Sequence, residues 1–418
     1  MGALRDGNWL DEARVRRIAA ACLIVSILAI GLLFATAHGT LDFKGRPLGT
    51  DFSQVWTAGT MVWDGRAAEV WDWPSHFAVQ RQFHRSATVD LYGWHYPPPY
   101  LLVAAALATL PYLAALLVWQ VATLAPLAWL AQRYLGRRDG WLYVVAAPVT
   151  LICLTHGHNG FLTALLLGGG LILLDTKPFV AGLLLGCLVY KPQFALVIPL
   201  LLLVTRQWRA IAGAALSSVA LVALTYAIWG WPVWQAFLDS LPLTRAVVIE
   251  QGTTGWEKIM SPFSGVRSWG MAVGPAYLVQ GAASAAAIAA ALWLAWTARP
   301  ALRNAATTAA VLIATPYVLD YDFVVLLVGI GFLWKDGEQH GWGSWEKSLL
   351  ALAWLAPFFE RSVAGVTLFP LGLLTAFIVL GIALRRGCLA EASIHPRWRD
   401  RSGLTASPFR RSRAVSAR

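Results

Sequence analysis

Long apolar runs recur along the chain and decide what it can fold into. Clear examples are Ile18–Ala37, Leu101–Gln132, Ile211–Trp229 and Ala282–Ala298. A helix needs about 20 mostly apolar residues to cross the hydrocarbon core of a bilayer. Charged residues make up only 13% of the chain, against about 25% in soluble proteins. We therefore expect an all-α polytopic membrane protein.

The breaks between the runs predict about twelve transmembrane helices, with 97–112 and 113–133 taken as one unit broken at Pro111. The predicted spans are 17–38, 97–112, 113–133, 141–156, 160–175, 178–190, 192–205, 209–230, 272–298, 302–318, 322–335, 346–360 and 364–385. The first run ends at Ala35-Thr36-Ala37, which resembles a signal-peptidase site. Because a signal peptide has a shorter apolar core, we interpret this run as an uncleaved helix.

The Lys and Arg residues predict the orientation. With both termini cytoplasmic, 23 of the 33 basic residues fall in the inside segments, as the positive-inside rule expects. We therefore predict a multi-pass protein of the inner (plasma) membrane, with a cytoplasmic N-terminus (1–16) and a membrane domain (17–385). A basic cytoplasmic tail (386–418) is expected to be disordered and to contact membrane lipids, with no nucleic-acid partner.

Two long segments, 39–95 and 231–271, are predicted outside. Long connections tend to carry function, so we expect a site that faces the periplasm or exterior. In the first segment, the spacing of Val55, Ala58, Met61 and Val62 predicts a short amphipathic helix lying along the membrane interface.

Asp51 directly precedes this helix. Its carboxylate has two interpretations: it accepts backbone N–H bonds as an N-terminal cap, or it is a general base at the rim of a partly dry cavity. Gln54 in the same segment is a candidate substrate-binding residue. Further along, His95 and Tyr96 lie before three prolines that make a rigid start to the next helix. The aromatic residues also fit an interfacial belt.

Polar residues interrupt two later apolar runs. In Thr155–Gly160, two histidines could bind a metal, but no third ligand is near in sequence. We favour His158 and Asn159 as a lining for an anionic or sugar group, and expect no metal and no cofactor. Lys191, followed by Gln193, either snorkels to the membrane boundary or binds a phosphate at a helix break.

Tyr317, Asp320 and Asp322 lie together at a late outer break. The two carboxylates bind hydroxyl groups, cap the following helix, or hold a divalent cation between them. The pair Glu360-Arg361 is interpreted as a local ion pair at another outer turn. All of these polar segments fall at one membrane face in the predicted topology, which favours a single site.

In their order along the chain, these motifs resemble glycosyltransferase family 87, the polyprenol-phosphate-mannose-dependent mannosyltransferases of the C-type glycosyltransferase fold. The resemblance covers roughly residues 45–335. It rests on Asp51, Tyr96-Pro97-Pro98, Leu110-Pro111, Gly157-His158-Asn159-Gly160, Ala181–Gly186 with Lys191-Pro192, and Thr315-Pro316.

The resemblance implies a hexosyltransferase that moves a sugar, mannose in the family's usual case, from a polyprenyl-phosphate donor to an acceptor hydroxyl of a lipid or glycan. Asp51 would be the catalytic base, and Lys191, with His158 or His95, would meet the leaving phosphate. The candidate substrate-binding residues are Gln54, His95, Tyr96, His158, Asn159, Lys191, Gln193, Tyr317, Asp320 and Asp322.

Two other functions remain open from the sequence. A transporter or flippase of a lipid-linked or small polar substrate predicts internal repeats and helices broken at the midplane. A non-catalytic assembly subunit would leave Lys191 and the paired carboxylates without a role.

Overall fold

A computed structural model describes residues 2–394, except for the side chains of Ala195 and residues 391–394. Within these residues the chain is helical, and β-type pairing is limited to isolated bridges such as that of Ile259 with Leu319. The α-helices span Gly2–Asp6, Glu12–Ala35, Thr50–Trp63, Trp73–His84, Pro99–Leu107, Tyr112–Leu135, Leu142–Val145, Pro148–His156, Gly160–Leu173, Pro178–Gly186, Val197–Val204, Trp208–Thr244, Pro262–Ser268, Val273–Thr297, Pro300–Ile313, Val324–His340, Glu346–Leu355, Glu360–Thr367 and Leu371–Ile394. The 3-10 helices span Ala67–Trp71, Cys187–Tyr190, Pro192–Leu196, Asp320–Phe323 and Ala356–Phe358, and Arg245–Glu250 is a π-helical turn.

Among the described residues, five helices are long and apolar enough to cross a membrane. They are Glu12–Ala35, Tyr112–Leu135, Trp208–Glu250, Val273–Thr297 and Leu371–Ala390. Glu346–Phe358 and Glu360–Thr367 form a pair bent by 77°, which adds a sixth span if it is taken as one. The structure thus agrees with a helical, polytopic membrane protein. The predicted number of about twelve spans is not confirmed, and the C-type fold stays a prediction.

Prolines explain much of this difference, because they divide apolar runs into shorter helices. Pro178 begins one helix and Pro192 another, since proline lacks an N–H and disfavours helix at the preceding residue. Gly160–Leu173 has 14 residues. A helix of that length is about 21 Å long, which is shorter than the hydrocarbon core of about 30 Å.

Helices extend beyond two of the predicted boundaries. The segment 231–271, predicted as a long connection, is helical up to Glu250. Gly230, with φ 69° and ψ −171°, bends the chain there, and the helix then resumes. The last helix continues to Ile394 and so passes the predicted boundary at 385. The rest of the predicted basic tail, 395–418, lies outside the described residues.

The predicted helix of the first outer segment is present as Thr50–Trp63, named here the Asp51 helix. Its apolar face does not lie against lipid as predicted, because Val55, Ala58 and Met61 are buried inside the protein. The helix packs against Pro99–Leu107 so closely that a Cβ on Gly59 would lie 2.0 Å from the carbonyl oxygen of Ala104. The Asp51 helix is therefore part of the helical core.

Replacing Gly59 by Ala is expected to destabilise the protein by about 1–3 kcal/mol, because the backbone of the facing helix must move. The measurement is the thermal unfolding midpoint in detergent. Gly281→Ala is the matched control, since a Cβ at this helical glycine meets no atom within 4 Å. An unchanged midpoint for Gly59→Ala would contradict this close packing.

The segments predicted on the cytoplasmic side contact one another at one end of the bundle. Trp9 donates to the hydroxyl of Ser348 at 2.7 Å. At the same end, Arg137 forms an ion pair with Glu338 at 3.4 Å, and Arg386 reaches Asp336 at 2.6 Å. The predicted outer segments meet elsewhere, around Asp51.

A cavity of about 140 Å³ lies between Glu12–Ala35, Tyr112–Leu135 and Val324–His340. Its lining is almost wholly apolar, with Arg137 as its charged member. None of the predicted site residues within the described chain lines it. This cavity is therefore separate from the polar site.

Candidate functional site

Asp51 lies in the first turn of the Asp51 helix, and the interpretation as its N-terminal cap is wrong. The cap residue is Gly49, which has φ 68°. No backbone N–H of the described residues donates to the Asp51 side chain. A carboxylate in the first turn is still favoured by the partial positive charge of the helix N-terminus.

The Asp51 carboxylate lies in a confined polar environment. Its Oδ2 is 3.6 Å from Nδ1 of His156, and the side chain is 15% exposed. Burial raises the pKa of Asp51 to about 7, although nearby Tyr321, Arg361 and Lys258 lower it in part. At neutral pH this carboxyl group is therefore poised to gain or lose a proton.

His156 connects Asp51 with Arg361. Its Nε2 lies 2.7 Å from Nη2 of Arg361, and its Nδ1 lies 2.5 Å from the hydroxyl oxygen of Thr50. Because a guanidinium group only donates, Nε2 must accept and the ring proton is assigned to Nδ1. The imidazole therefore presents an N–H group to Thr50 and Asp51.

Arg361 is held by Asp320 rather than by its neighbour Glu360, so the predicted local ion pair is wrong. Asp320 is fully buried, forms an ion pair with Arg361, and accepts from the backbone N–H of Tyr321 at 2.8 Å. Glu360 is also fully buried, and neither of its oxygens has a hydrogen-bond partner among the described residues. We call Asp51, His156, Asp320 and Arg361 the Asp51 cluster.

Lys191 is 2% exposed, so the interpretation that it snorkels is wrong. Its ammonium forms an ion pair with Asp322 and donates to Oδ1 of Asn159 at 3.1 Å. Asp322 also accepts from the backbone N–H of Leu319 at 3.0 Å and so caps its own short helix. Lys191, Asp322 and Asn159 form a second group, the Lys191 cluster.

The two late carboxylates therefore face different cations instead of sharing one. Asp320 pairs with Arg361 and Asp322 with Lys191. The two histidines diverge in the same way, because His158 contacts Tyr96 while His156 contacts Arg361. Neither pair has the arrangement of a shared metal site.

His158 and Tyr321 join the two clusters. The His158 ring stacks on Tyr321 with 3.7 Å between centroids, and its Nε2 is 3.1 Å from the hydroxyl oxygen of Tyr96. Its Nδ1 lies 3.9 Å from Asp322. Tyr321 in turn lies close enough to Asp51 to lower its pKa. The clusters are thus neighbours in one polar region.

His95 and Tyr317 lie at the side of this region. The His95 ring packs edge-on to Tyr317 at 6.4 Å, and its Nδ1 is 3.2 Å from the hydroxyl oxygen of Thr244. Burial lowers the pKa of His95 to about 4, so this ring is neutral at physiological pH. Burial, and to a smaller extent the negative charges of Asp51 and Asp322, raise the pKa of Tyr317, so this side chain lies near both clusters.

Gln54 and Gln193 are less closely connected to the site. Gln54 is buried one turn after Asp51, and its side-chain oxygen has no hydrogen-bond partner within the described chain. Gln193 is half-buried in Pro192–Leu196, and no described residue forms a hydrogen bond with its side chain. The structure therefore does not bring Gln193 into either cluster.

Three buried polar atoms at the site lack a hydrogen-bond partner among the described residues: Oδ2 of Asp51, Nδ1 of His158 and Nδ2 of Asn159. Buried polar groups are usually paired. A carboxylate oxygen that accepts, an amide N–H that donates and an imidazole nitrogen that does either, according to its tautomer, are therefore available to a ligand with both hydroxyl and oxyanion groups. A sugar phosphate has that composition.

Sequence analysis missed His156, Tyr321, Lys258 and Arg361 as site residues. His156 had a signal, because it lies two residues before His158 in the same polar motif. Arg361 had a misleading signal, because its neighbour Glu360 suggested a local ion pair. Tyr321 lies between the two chosen aspartates. Lys258 lies in the predicted outer segment 231–271, where no motif marks it.

The polar region of this membrane protein combines a carboxyl group whose pKa is about 7 with two ion pairs whose carboxylates are buried. The model of glycosyltransferase family 87 matches residues 94–319, which is more than half of the chain. The chain belongs to glycosyltransferase family 87 and is a membrane glycosyltransferase. Neither a curated protein nor a solved structure matches it.

The family match confirms the predicted family and favours the enzyme over the transporter. The matched residues include Tyr96, His158 and Lys191. Asp51 and Arg361 lie outside them, so the roles of these two residues are argued from geometry.

Proposed function

We propose that the protein transfers a sugar from a polyprenyl-phosphate donor to an acceptor hydroxyl on a lipid or glycan, with Asp51 as general base. The observation that carries the proposal is the Asp51 carboxylate, which lies beside the N–H of His156 and has a free oxygen among the described residues. Mannose is the first sugar to test, because mannosyl transfer is what the sequence resemblance implies.

The proposed reaction is a single displacement at the anomeric carbon. The acceptor oxygen attacks the anomeric carbon, and its proton passes to Asp51. The bond from the anomeric carbon to the phosphate oxygen breaks, and its electron pair goes to the phosphate. Arg361 donates to Nε2 of His156 and so fixes the ring proton on Nδ1, the nitrogen that lies beside Thr50 and Asp51. Preorganised groups of this kind reduce the cost of charge movement.

We further propose that the site faces the periplasm or exterior of the inner membrane and that both termini are cytoplasmic. The distribution of Lys and Arg supports this orientation. So do the contacts of the predicted inside segments with one another, as between Trp9 and Ser348 and between Arg137 and Glu338.

The deciding test uses purified protein in nanodiscs with a panel of radiolabelled polyprenyl-phosphate sugars and a membrane lipid extract as acceptor. Transfer from one donor supports the proposal and identifies the sugar. A folded protein that transfers from none of them contradicts it.

The transfer rate is expected to rise with pH and to level off above the pKa of Asp51. A general base acts when deprotonated, and burial raises this pKa to about 7. The rate should therefore fall about tenfold per pH unit well below neutrality. His95 does not titrate in this range, since its pKa is about 4. The measurement is the initial rate of transfer at saturating donor. A rate that stays constant from about pH 5 to about pH 8 would exclude Asp51 as the titrating base.

A further inference from the structure

Lys258 lies next to the Asp51 cluster because its backbone is paired with the segment that carries Asp320. The backbone N–H of Asp320 donates to the carbonyl oxygen of Lys258 at 3.0 Å, and Met260 donates to Val318 at 2.8 Å. The Lys258 ammonium is close enough to Asp51 for its charge to lower the pKa of that carboxyl. Backbone hydrogen bonds at Lys258 and Met260 thus fix the position of Lys258 beside residues 318–320.

The Lys258 side chain differs from the other cations of the site. Arg361 and Lys191 are both neutralised, by Asp320 and Asp322. The half-exposed Lys258 forms no ion pair and no side-chain hydrogen bond with any described residue. Its neighbour Glu257 faces Gly255, where a Cβ would lie 2.4 Å from the Glu257 carboxylate. The positive charge of Lys258 is therefore available to a ligand.

We propose that Lys258, and not Lys191, binds the phosphate of the lipid-linked donor and stabilises it as it leaves. This inference rests on the proposed function. A phosphate at Lys191 would have to compete with the buried Asp322 carboxylate for a cation that Asp322 already neutralises. Lys258 can approach a phosphate without breaking any contact.

The charge of the ligand changes during the reaction. The donor is a phosphodiester with one negative charge. Once the bond to the anomeric carbon breaks, the polyprenyl phosphate carries nearly two, because its second pKa is about 6. A cation that contacts this phosphate must therefore stabilise the product more than the donor. Because Asp322 already neutralises Lys191, we do not expect Lys191 to bind the product phosphate more tightly than the donor phosphate.

The test compares Lys258→Gln with Lys258→Arg and wild type as full-length proteins in nanodiscs. Lys44→Gln is the matched control, because Lys44 is an exposed lysine of the same predicted side. The first measurement is the dissociation constant of undecaprenyl phosphate. We expect it to rise about 10- to 100-fold in Lys258→Gln, to stay close to the wild-type value in Lys258→Arg, and to be unchanged in Lys44→Gln.

The second measurement is transfer from the donor that the wild type uses. In Lys258→Gln, the KM for donor should rise less than the dissociation constant of the product. Equal product affinity in Lys258→Gln and wild type would overturn the role of Lys258, even if transfer proceeds. Weakened product binding in Lys258→Gln, with no transfer by any protein, would support this phosphate contact and contradict the proposed function.

Discussion

Replacing Asp51 by Asn is expected to reduce sugar transfer about 10²- to 10⁴-fold, the usual contribution of a general base. The amide has nearly the same shape as the carboxyl group but cannot take a proton from the acceptor. The fold should survive, because the Asp51 Oδ2 accepts no hydrogen bond from the described residues. Removing a buried charge that lacks such a donor costs little stability.

The measurement is the initial rate of transfer with the donor identified for wild type, alongside the thermal unfolding midpoint. Asp64→Asn is the matched control, because Asp64 is an exposed carboxylate at the other end of the same helix. Its rate should equal that of wild type. Near-normal transfer by Asp51→Asn would remove Asp51 from the mechanism.

Replacing Lys191 by Ala is expected to destabilise the protein by about 3–5 kcal/mol, because it leaves a buried carboxylate without its cation. Lys191 is 2% exposed and Asp322 is 1% exposed. The loss of activity that follows would come from misfolding rather than from weaker phosphate binding. The measurement is the unfolding midpoint and the fraction of monodisperse protein in detergent.

The double variant Lys191→Met with Asp322→Asn separates the two explanations. It removes both charges together, and its asparagine oxygen can still accept from the backbone N–H of Leu319. Most of the lost stability should return, since removing a whole buried ion pair costs much less than removing one partner. A Lys191→Ala protein as stable as wild type would show that the ion pair does not support the fold.

The sequence predicts the helices well because each apolar run is a local signal. Tyr112–Leu135 and Val273–Thr297 agree closely with the predicted 113–133 and 272–298. The number of spans is harder to predict, because prolines divide the shorter runs and composition alone does not say how the pieces combine. The bend at Gly230 ended a predicted helix that in fact resumes.

Some members of the site are predictable from the sequence, but their pairings are not. Asp51, His158, Lys191 and Asp322 stand out as polar residues at helix breaks, and the structure brings them into one region. Their partners depend on long-range packing, such as that between Asp320 and Arg361, which lie 41 residues apart. A charged residue with a charged neighbour in sequence, as in Glu360-Arg361, gives a misleading local signal.

The ion pairs at the other end of the bundle bear on how the chain is completed during synthesis. Glu346 is buried and forms ion pairs with two guanidinium groups, those of Arg385 and Arg386, which both lie on the helix Leu371–Ile394. Asp336 also depends on Arg386, in addition to Arg299. Until the final helix has left the ribosome and inserted, Glu346 has neither guanidinium. Assembly of this end therefore waits for the helix Leu371–Ile394, and a chain without this helix would leave Glu346 without a guanidinium partner.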